Sequence, residues 1–190
     1  YCDSLKSEKR SAKIFTLLKI YDILISWLSP VLCHTMEEAW TILKTEKLES
    51  VHLKSAPKIL DSWKDDALIK RWENIKKIRR AVNTAIEEVR NEKKIGSSLE
   101  AEIMIKLDEK FFSCIGSNEL NEICMVSSIK IKRANDNTPE GYITYFKSEP
   151  DNIEVWVYKT VSKKCIRCWQ YKNDISDKND LCVRCISVVK

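Results

Sequence analysis

Four cysteines near the carboxyl end carry the most specific chemistry in this sequence. They form two C-x-x-C pairs with 13 residues between the pairs: Cys165 and Cys168, then Cys182 and Cys185. Each C-x-x-C turn can direct two thiolates at one ion, and four thiolates form the ligand set of a tetrahedral structural zinc site. We therefore predict one structural Zn²⁺ ion. Because four thiolates leave no position for water or substrate, this metal is not expected to catalyse a reaction.

Two other uses of these cysteines stay open from the residues alone. A redox dithiol needs only one C-x-x-C pair, and neither pair lies in the strand-to-helix pattern of a thioredoxin motif. Disulfides suit small secreted domains, whereas 190 residues can bury a core without covalent links. The other cysteines, Cys2, Cys33, Cys114 and Cys124, do not lie at ligand spacing from one another and are predicted to be small buried hydrophobic residues.

The residues around the cysteines favour a polyanionic partner. The zinc module carries many cations, namely Lys159, Lys163, Lys164, Arg167, Lys172, Lys178, Arg184 and Lys190. Trp169 directly follows the first pair, and an aromatic ring beside the Arg167 guanidinium can stack on an unpaired nucleotide. The alternative for Trp169 is a cover over the zinc site.

A second basic cluster lies on a predicted long helix and contains a single acid, Glu73. Its cations are Lys70, Arg71, Lys76, Lys77, Arg79 and Arg80. Positions 73, 76, 77 and 80 share one helical face, which could engage a phosphate backbone or could simply be solvated. The formal charge of +5 is modest, and four thiolates with one Zn²⁺ contribute −2, which leaves +3. The position of the charge is therefore more informative than its total.

Hydrophobic periodicity predicts the elements that position these residues. Apolar residues at steps of three and four predict three helices. The first covers 7–29, and the second begins at a Thr35–Glu38 capping box. The third carries an apolar stripe from Leu68 to Val89 and ends near Gly96. A short extended piece is predicted at 50–53, in the loop between the second and third helices. The period then changes to two over 99–107, which predicts a half-buried strand.

A helix broken at Gly116 is predicted over 108–124. Further strands are predicted at 125–133, 142–146 and 153–159, with a turn at 135–139. The predicted fold class is therefore a multi-part α+β protein. It comprises an N-terminal α-helical bundle (1–96), a small α+β junction unit (97–160) and a C-terminal four-Cys zinc module (161–190).

Composition narrows the function classes. The chain is 44% hydrophobic, which suffices for a core, and no apolar run approaches the ~20 residues that a membrane span requires. Without a signal-peptide pattern, a cytoplasmic location is expected. The first residue is a tyrosine rather than methionine, which suggests a fragment of a longer protein. No Walker or dinucleotide motif occurs, and neither His34 nor His52 has a predictable nucleophile partner, so no catalytic residues are predicted.

Several segments together resemble one family. The sequence SPVLCHTMEEAW at 29–40 resembles the S-P-x-x-P-H-x-x-E-E-x-W segment of anticodon-binding helical domains in class I aminoacyl-tRNA synthetases for aliphatic amino acids. The later segments are similar, in order, to the C-terminal region of bacterial-type isoleucyl-tRNA synthetases: SVHL at 50–53, IGSSLEA at 95–101, KCIRCW at 164–169 and LCVRC at 181–185. Cys33 departs from the family's usual proline.

The resemblance implies a tRNA-binding region. The helical bundle would grip the anticodon stem-loop of isoleucine tRNA, and the junction and zinc module would reach the anticodon bases, with Arg167 and Trp169 at the family's positions. The H-I-G-H and K-M-S-K-S signatures do not occur in this sequence. ATP binding and ligation of isoleucine would therefore belong to the rest of the parent enzyme, which is expected to be a monomer.

Two rival functions accompany this interpretation. A DNA-repair glycosylase has a C-terminal zinc hairpin of similar type, but it would need a catalytic N-terminus and a DNA-wedge loop. A zinc-stabilised protein-interaction module would use the basic face only for solubility and would bind tRNA no better than any other polyanion.

Overall fold

The computed structural model describes residues 2–44, 46–112, 116–133, 137, 139–149 and 151–189. The chain forms two compact units, Tyr1–Lys64 and Asp65–Lys190. Cys114, Lys190 and most of the turn predicted at 135–139 lie outside the described residues.

The first unit is built from two helices, α1 (Glu8–Leu28) and α2 (Cys33–Ile42). Helix α1 begins where predicted, because the Ser7 side chain accepts a hydrogen bond from the Arg10 amide at 3.3 Å. The predicted capping box of α2 is wrong, since α2 begins at Cys33 and its N-cap residue, Leu32, makes no side-chain cap. The chain turns tightly after α1, and the Leu32 amide donates to the Leu28 carbonyl at 2.8 Å.

The core of the first unit consists of Ile25, Trp40 and Val51, each at most 3% exposed. Val51 begins a 3₁₀ turn, Val51–Leu53, where an extended piece was predicted. The Glu37 carboxylate Oε2 accepts hydrogen bonds from Ser50 Oγ at 2.8 Å and from the Val51 amide at 2.9 Å. A carboxylate that accepts from the first free amide of a turn stabilises that turn, which explains why the segment is not extended.

The second unit begins with a 26-residue helix, α3 (Asp66–Asn91), capped by Asp65. The helix ends before the predicted break at Gly96, and Lys93 adopts a left-handed conformation with φ 57°. The buried stripe of α3 runs from Ile75 to Val89, whereas Leu68 and Trp72 are exposed.

A four-stranded sheet packs against α3. Its strands are β1 (Ala101–Leu107), β2 (Ser128–Arg133), β3 (Thr144–Ser148) and β4 (Ile153–Lys159), in the order β2-β1-β4-β3. Strands β1 and β2 are parallel, and the β1–β4 and β3–β4 pairs are antiparallel. Two short helices, α4 (Glu109–Phe112) and α5 (Ser117–Cys124), lie between β1 and β2 in the sequence, as predicted for a helical segment broken near Gly116.

The third helix was predicted to close an N-terminal bundle ending at 96. In the structure α3 instead shares one core with the sheet, where Ile78 and Val82 pack in a cluster with Ile103 and Val155. The boundary between the compact units accordingly lies after Lys64. Helix α3 groups with the sheet because the sheet buries its apolar stripe.

The zinc module follows β4 and contains two short strands and one helix: β5 Lys163–Lys164, β6 Tyr171–Lys172 and α6 Val183–Val189. The residue that precedes the module, Thr160, is held at the sheet, since its hydroxyl donates to the Glu102 carboxylate at 2.7 Å. The molecule thus combines an N-terminal helical region, a sheet with helices and a four-cysteine cluster, which confirms the multi-part α+β fold class.

Candidate zinc centre and nucleic-acid interface

The four predicted cysteines converge on one point. Their Sγ atoms all lie within 4.8 Å of one another, and Cys168 Sγ lies 3.8 Å from Cys182 Sγ. Four sulfurs at about 2.3 Å from one Zn²⁺ define a tetrahedron with edges of about 3.8 Å. Cys165, Cys182 and Cys185 are fully buried and Cys168 is partly buried. The geometry therefore fits a closed four-thiolate zinc site.

Local structure explains why each pair faces the metal position. The first pair lies in the turn between β5 and β6, which is closed by hydrogen bonds from the Cys165 amide to the Gln170 carbonyl and from the Trp169 amide to the Cys165 carbonyl, at 2.9 and 2.8 Å. Cys182 immediately precedes α6 and Cys185 lies within its first turn. A hairpin turn and a helix start thus each present two thiols.

The surroundings shift the pKa values of two of these thiols in opposite directions. Burial opposes ionisation of Cys165, but the amides of Cys168, Cys182 and Arg167 point at its sulfur and lower its pKa to about 6. Burial, together with the neighbouring sulfurs, raises the pKa of Cys168 to about 12. Metal binding requires all four cysteines as thiolates, and a zinc ion would supply the positive charge that stabilises them and would hold the turn and the helix together.

Trp169 is largely exposed beside the zinc centre. Its side chain is 64% exposed, and its backbone has a left-handed conformation with φ 63°. The partly buried residues that pack around the buried cysteines are Cys168, Ile175 and Leu181. Lys164 Nζ lies 5.8 Å from the centroid of the Trp169 ring, within range of a cation–π contact. The turn thus presents a flat aromatic surface with a cation beside it.

Arg167 was predicted to lie with Trp169 at the RNA surface. Its Nη1 donates to Cys185 Sγ at 3.5 Å, so part of the guanidinium faces the cysteine cluster, and its contact with RNA stays a prediction.

The basic cluster on α3 divides into two groups. Arg71 and Lys77 form ion pairs with acids of other segments, Glu119 at 2.6 Å and Asp151 at 2.9 Å. Three other cations line a surface groove of about 610 Å³ along the exposed side of the helix. The lining residues are Lys76, Arg79, Arg80, Asn83, Thr84, Glu87, Glu88 and Asn91. Lys70 is exposed and does not line this groove.

Sequence reasoning missed the role of Glu37, although this residue lies in the motif at 29–40. Its contacts to Ser50 and Val51 join two of the motifs that carried the family resemblance. A carboxylate that follows a helix start by a few residues gives no local signal of a partner 13 residues away.

Of the remaining cysteines, Cys124 is buried, Cys2 is partly buried and Cys33 is exposed, so the prediction of burial is wrong for Cys33. Within the described residues, no helix combines the length and the hydropathy needed to cross a membrane.

Two family models match this chain, one in its amino-terminal half and one over the cysteine cluster. A family model described as "Anticodon-binding domain of tRNA ligase" matches residues 1–105, and one described as "Zinc finger found in FPG and IleRS" matches residues 162–188. The first match covers more than half of the chain, so the chain belongs to the family of anticodon-binding domains of tRNA ligases.

The curated relatives compared with this chain are isoleucine–tRNA ligases. The chain is 38% identical to an isoleucine–tRNA ligase of Rhodopseudomonas palustris over 92% of its length and 33% identical to that of Natranaerobius thermophilus over 100%. These alignments cover 17% and 21% of the relatives, so the chain spans about a fifth of their length. The resemblance to the C-terminal region of isoleucyl-tRNA synthetases is confirmed.

Proposed function

We propose that this chain is the tRNA-recognition region of an isoleucine–tRNA ligase and that it binds the anticodon stem-loop of isoleucine tRNA. The observation that carries the proposal is the exposed Trp169 ring beside the Lys164 ammonium, held on a turn that the cysteine cluster fixes. A flat ring with a neighbouring cation is suited to stacking an unpaired base whose phosphate lies close by. Since a fixed turn loses little entropy on binding, the metal contributes to affinity without contacting RNA.

The groove on α3 supplies the second part of the proposal. Lys76, Arg79 and Arg80 would contact backbone phosphates, and the amide and hydroxyl groups of Asn83 and Thr84 would hydrogen-bond to the sugar–phosphate chain. These contacts carry no base information, so they provide affinity and register while Trp169 and its neighbours meet the anticodon. Arg71 and Lys77 are less available because each already pairs with an acid. Lys70 contributes only to the general positive field.

Other properties follow for the whole protein. It would join isoleucine to its tRNA with ATP, bound in a catalytic part that this chain does not contain. It would act in the cytoplasm as a monomer and carry one zinc ion in the present cysteine cluster.

The rival functions are less well supported. The zinc-finger family occurs in FPG as well as in IleRS, so that match alone does not separate a glycosylase from a ligase. The match to an anticodon-binding domain over residues 1–105 does separate them, because it covers the segment where a glycosylase would need its own catalytic elements. A protein-interaction module is not favoured either, because the family model over residues 1–105 describes an anticodon-binding domain of tRNA ligase.

The salt dependence of tRNA binding tests this proposal. Isoleucine tRNA would be titrated into the chain at several salt concentrations, with the double variant Lys76→Ala/Arg80→Ala compared with Lys44→Ala/Lys58→Ala. The groove variant should bind more weakly and should reduce the slope of log K against log salt by about 2, since each lost phosphate contact removes about 1. The control removes the same charge outside the groove and should keep the wild-type slope. Equal effects of both variants would refute phosphate binding in the groove. Absence of tRNA binding at low salt would refute the proposed tRNA-binding function.

A further inference from the structure

The Arg167 side chain connects the two cysteine pairs. Arg167 belongs to the first C-x-x-C turn, yet its Nη1 donates to the sulfur of Cys185, in the second pair, at 3.5 Å. Cys185 is 0% exposed, and Arg167 itself is partly buried. A guanidinium that is partly withdrawn from water and directed at a buried sulfur is placed to act on the metal site.

The charge of the loaded site gives this contact its importance. Four thiolates around one Zn²⁺ carry a net charge of −2, and a buried charge is costly unless it is paired or hydrogen-bonded. For Cys165, backbone amides meet this need, and the Cys182 amide lies 3.4 Å from its sulfur. For Cys185, the Arg167 guanidinium provides both a donor and a full positive charge.

Lys164 carries the same charge as Arg167 in the same turn but is directed elsewhere. It precedes Cys165 directly in the sequence, but its ammonium lies against the Trp169 ring and its side chain is exposed. Lys164 and Arg167 therefore carry equal charge in one short turn, with one side chain directed at the aromatic surface and the other at the cysteine cluster.

We propose that Arg167 is a positioning residue of the zinc centre, which compensates the charge of the site and holds the Cys185 sulfur in place so that the metal is retained. This assignment goes beyond tRNA binding and rests on the structural zinc, not on the RNA interface. Residues that hydrogen-bond to metal ligands typically contribute 10- to 100-fold to metal affinity.

The test measures zinc retention in the absence of RNA. The zinc-loaded chain, Arg167→Ala and Lys164→Ala would each be titrated with a chromogenic zinc chelator, and the Co²⁺-substituted forms would be compared by their thiolate-to-cobalt absorption. Arg167→Ala should lower zinc affinity about 10- to 100-fold and shift the cobalt band. Lys164→Ala should keep both at wild-type values. An equal loss of zinc affinity in the two variants would show a general charge effect and would overturn the proposal.

A second variant covers the case in which Arg167→Ala does not fold. Arg167→Gln keeps a donor of similar length but removes the charge, and it should lower zinc affinity in the same direction by a smaller factor. Wild-type zinc affinity in Arg167→Gln, together with weakened tRNA binding, would place Arg167 at the RNA surface and overturn the assignment. Failure of tRNA binding in the wild-type chain would leave the zinc result unaffected, so the two proposals fail separately.

Discussion

Replacing Trp169 by alanine separates a base-stacking role from a structural one. The side chain is 64% exposed, so only about a third of a ring that can bury 150–250 Å² is covered. At about 25 cal/mol per Å², the loss of stability is at most about 2 kcal/mol. A tryptophan that covered the metal would cost about 3–5 kcal/mol on truncation. A stacked base is worth about 1–3 kcal/mol, which corresponds to a loss of tRNA affinity of about 5- to 150-fold.

The assay is fluorescence anisotropy of labelled isoleucine tRNA, combined with a native mass measurement of bound zinc. Trp169→Ala should lose affinity within that range and keep its zinc. Trp169→Phe keeps a flat ring at the same position and should retain most of the affinity. Unchanged tRNA binding in Trp169→Ala would refute the stacking role, and loss of zinc would show that the ring belongs to the metal site.

Three further perturbations test the fold around the site. The hydrogen bond from Ser50, and after it the one from the Val51 amide, lowers the pKa of Glu37 from its ordinary value near 4.5. The stability that these bonds contribute should be present above pH 4.5 and lost as pH falls through the lowered pKa. The urea midpoint should therefore fall more steeply with acid in the wild-type chain than in Glu37→Gln, and parallel curves would contradict a stabilising role of the Glu37 carboxylate. Ile78→Ala should cost about 2–5 kcal/mol in urea unfolding, whereas Ile69→Ala on the same helix, 53% exposed, should cost far less; equal costs would contradict the packing of α3 on the sheet. Chelation should lower the mass by one zinc ion and abolish hydrogen-exchange protection at 163–189. Strands β1 and β4 should stay protected, since the sheet has its own core. Simultaneous loss of protection in the sheet would contradict separate cores.

Local sequence patterns predicted the elements that repeat a simple period. The alternation that ends at Leu107 and the run at 153–159 became strands, because every second side chain enters the core. The Thr35–Glu38 pattern failed because the residues before it fold back onto the end of α1 and start α2 earlier. The capping-box pattern depends on four residues only and carries no information about the turn that precedes them.

Partners of the elements could not be predicted in the same way. The apolar stripe of α3 looks the same whether it faces other helices or a sheet, so periodicity alone does not assign it to either unit. The ion pairs of Arg71 and Lys77 join residues 48 and 74 positions apart, which no local charge pattern reveals. The sequence therefore identified six candidate cations but not the three that share a groove.

The metal ligands were the most predictable part of the site, because two C-x-x-C turns have few other uses and a closed ligand set fixes their geometry. The residues between the ligands were less predictable. Arg167 and Trp169 are two positions apart, yet one donates to a cysteine sulfur and the other is exposed. Only the turn geometry separates their roles.

Anticodon substitution tests the central claim most directly. The chain would be titrated with isoleucine tRNA and with copies that differ only in the three anticodon bases, at low and at higher salt. Backbone contacts weaken with salt equally for all copies, whereas contacts to the bases do not, so the preference for the isoleucine anticodon should persist as total affinity falls. Equal affinity for every copy at both salt concentrations would contradict recognition of the anticodon by this chain.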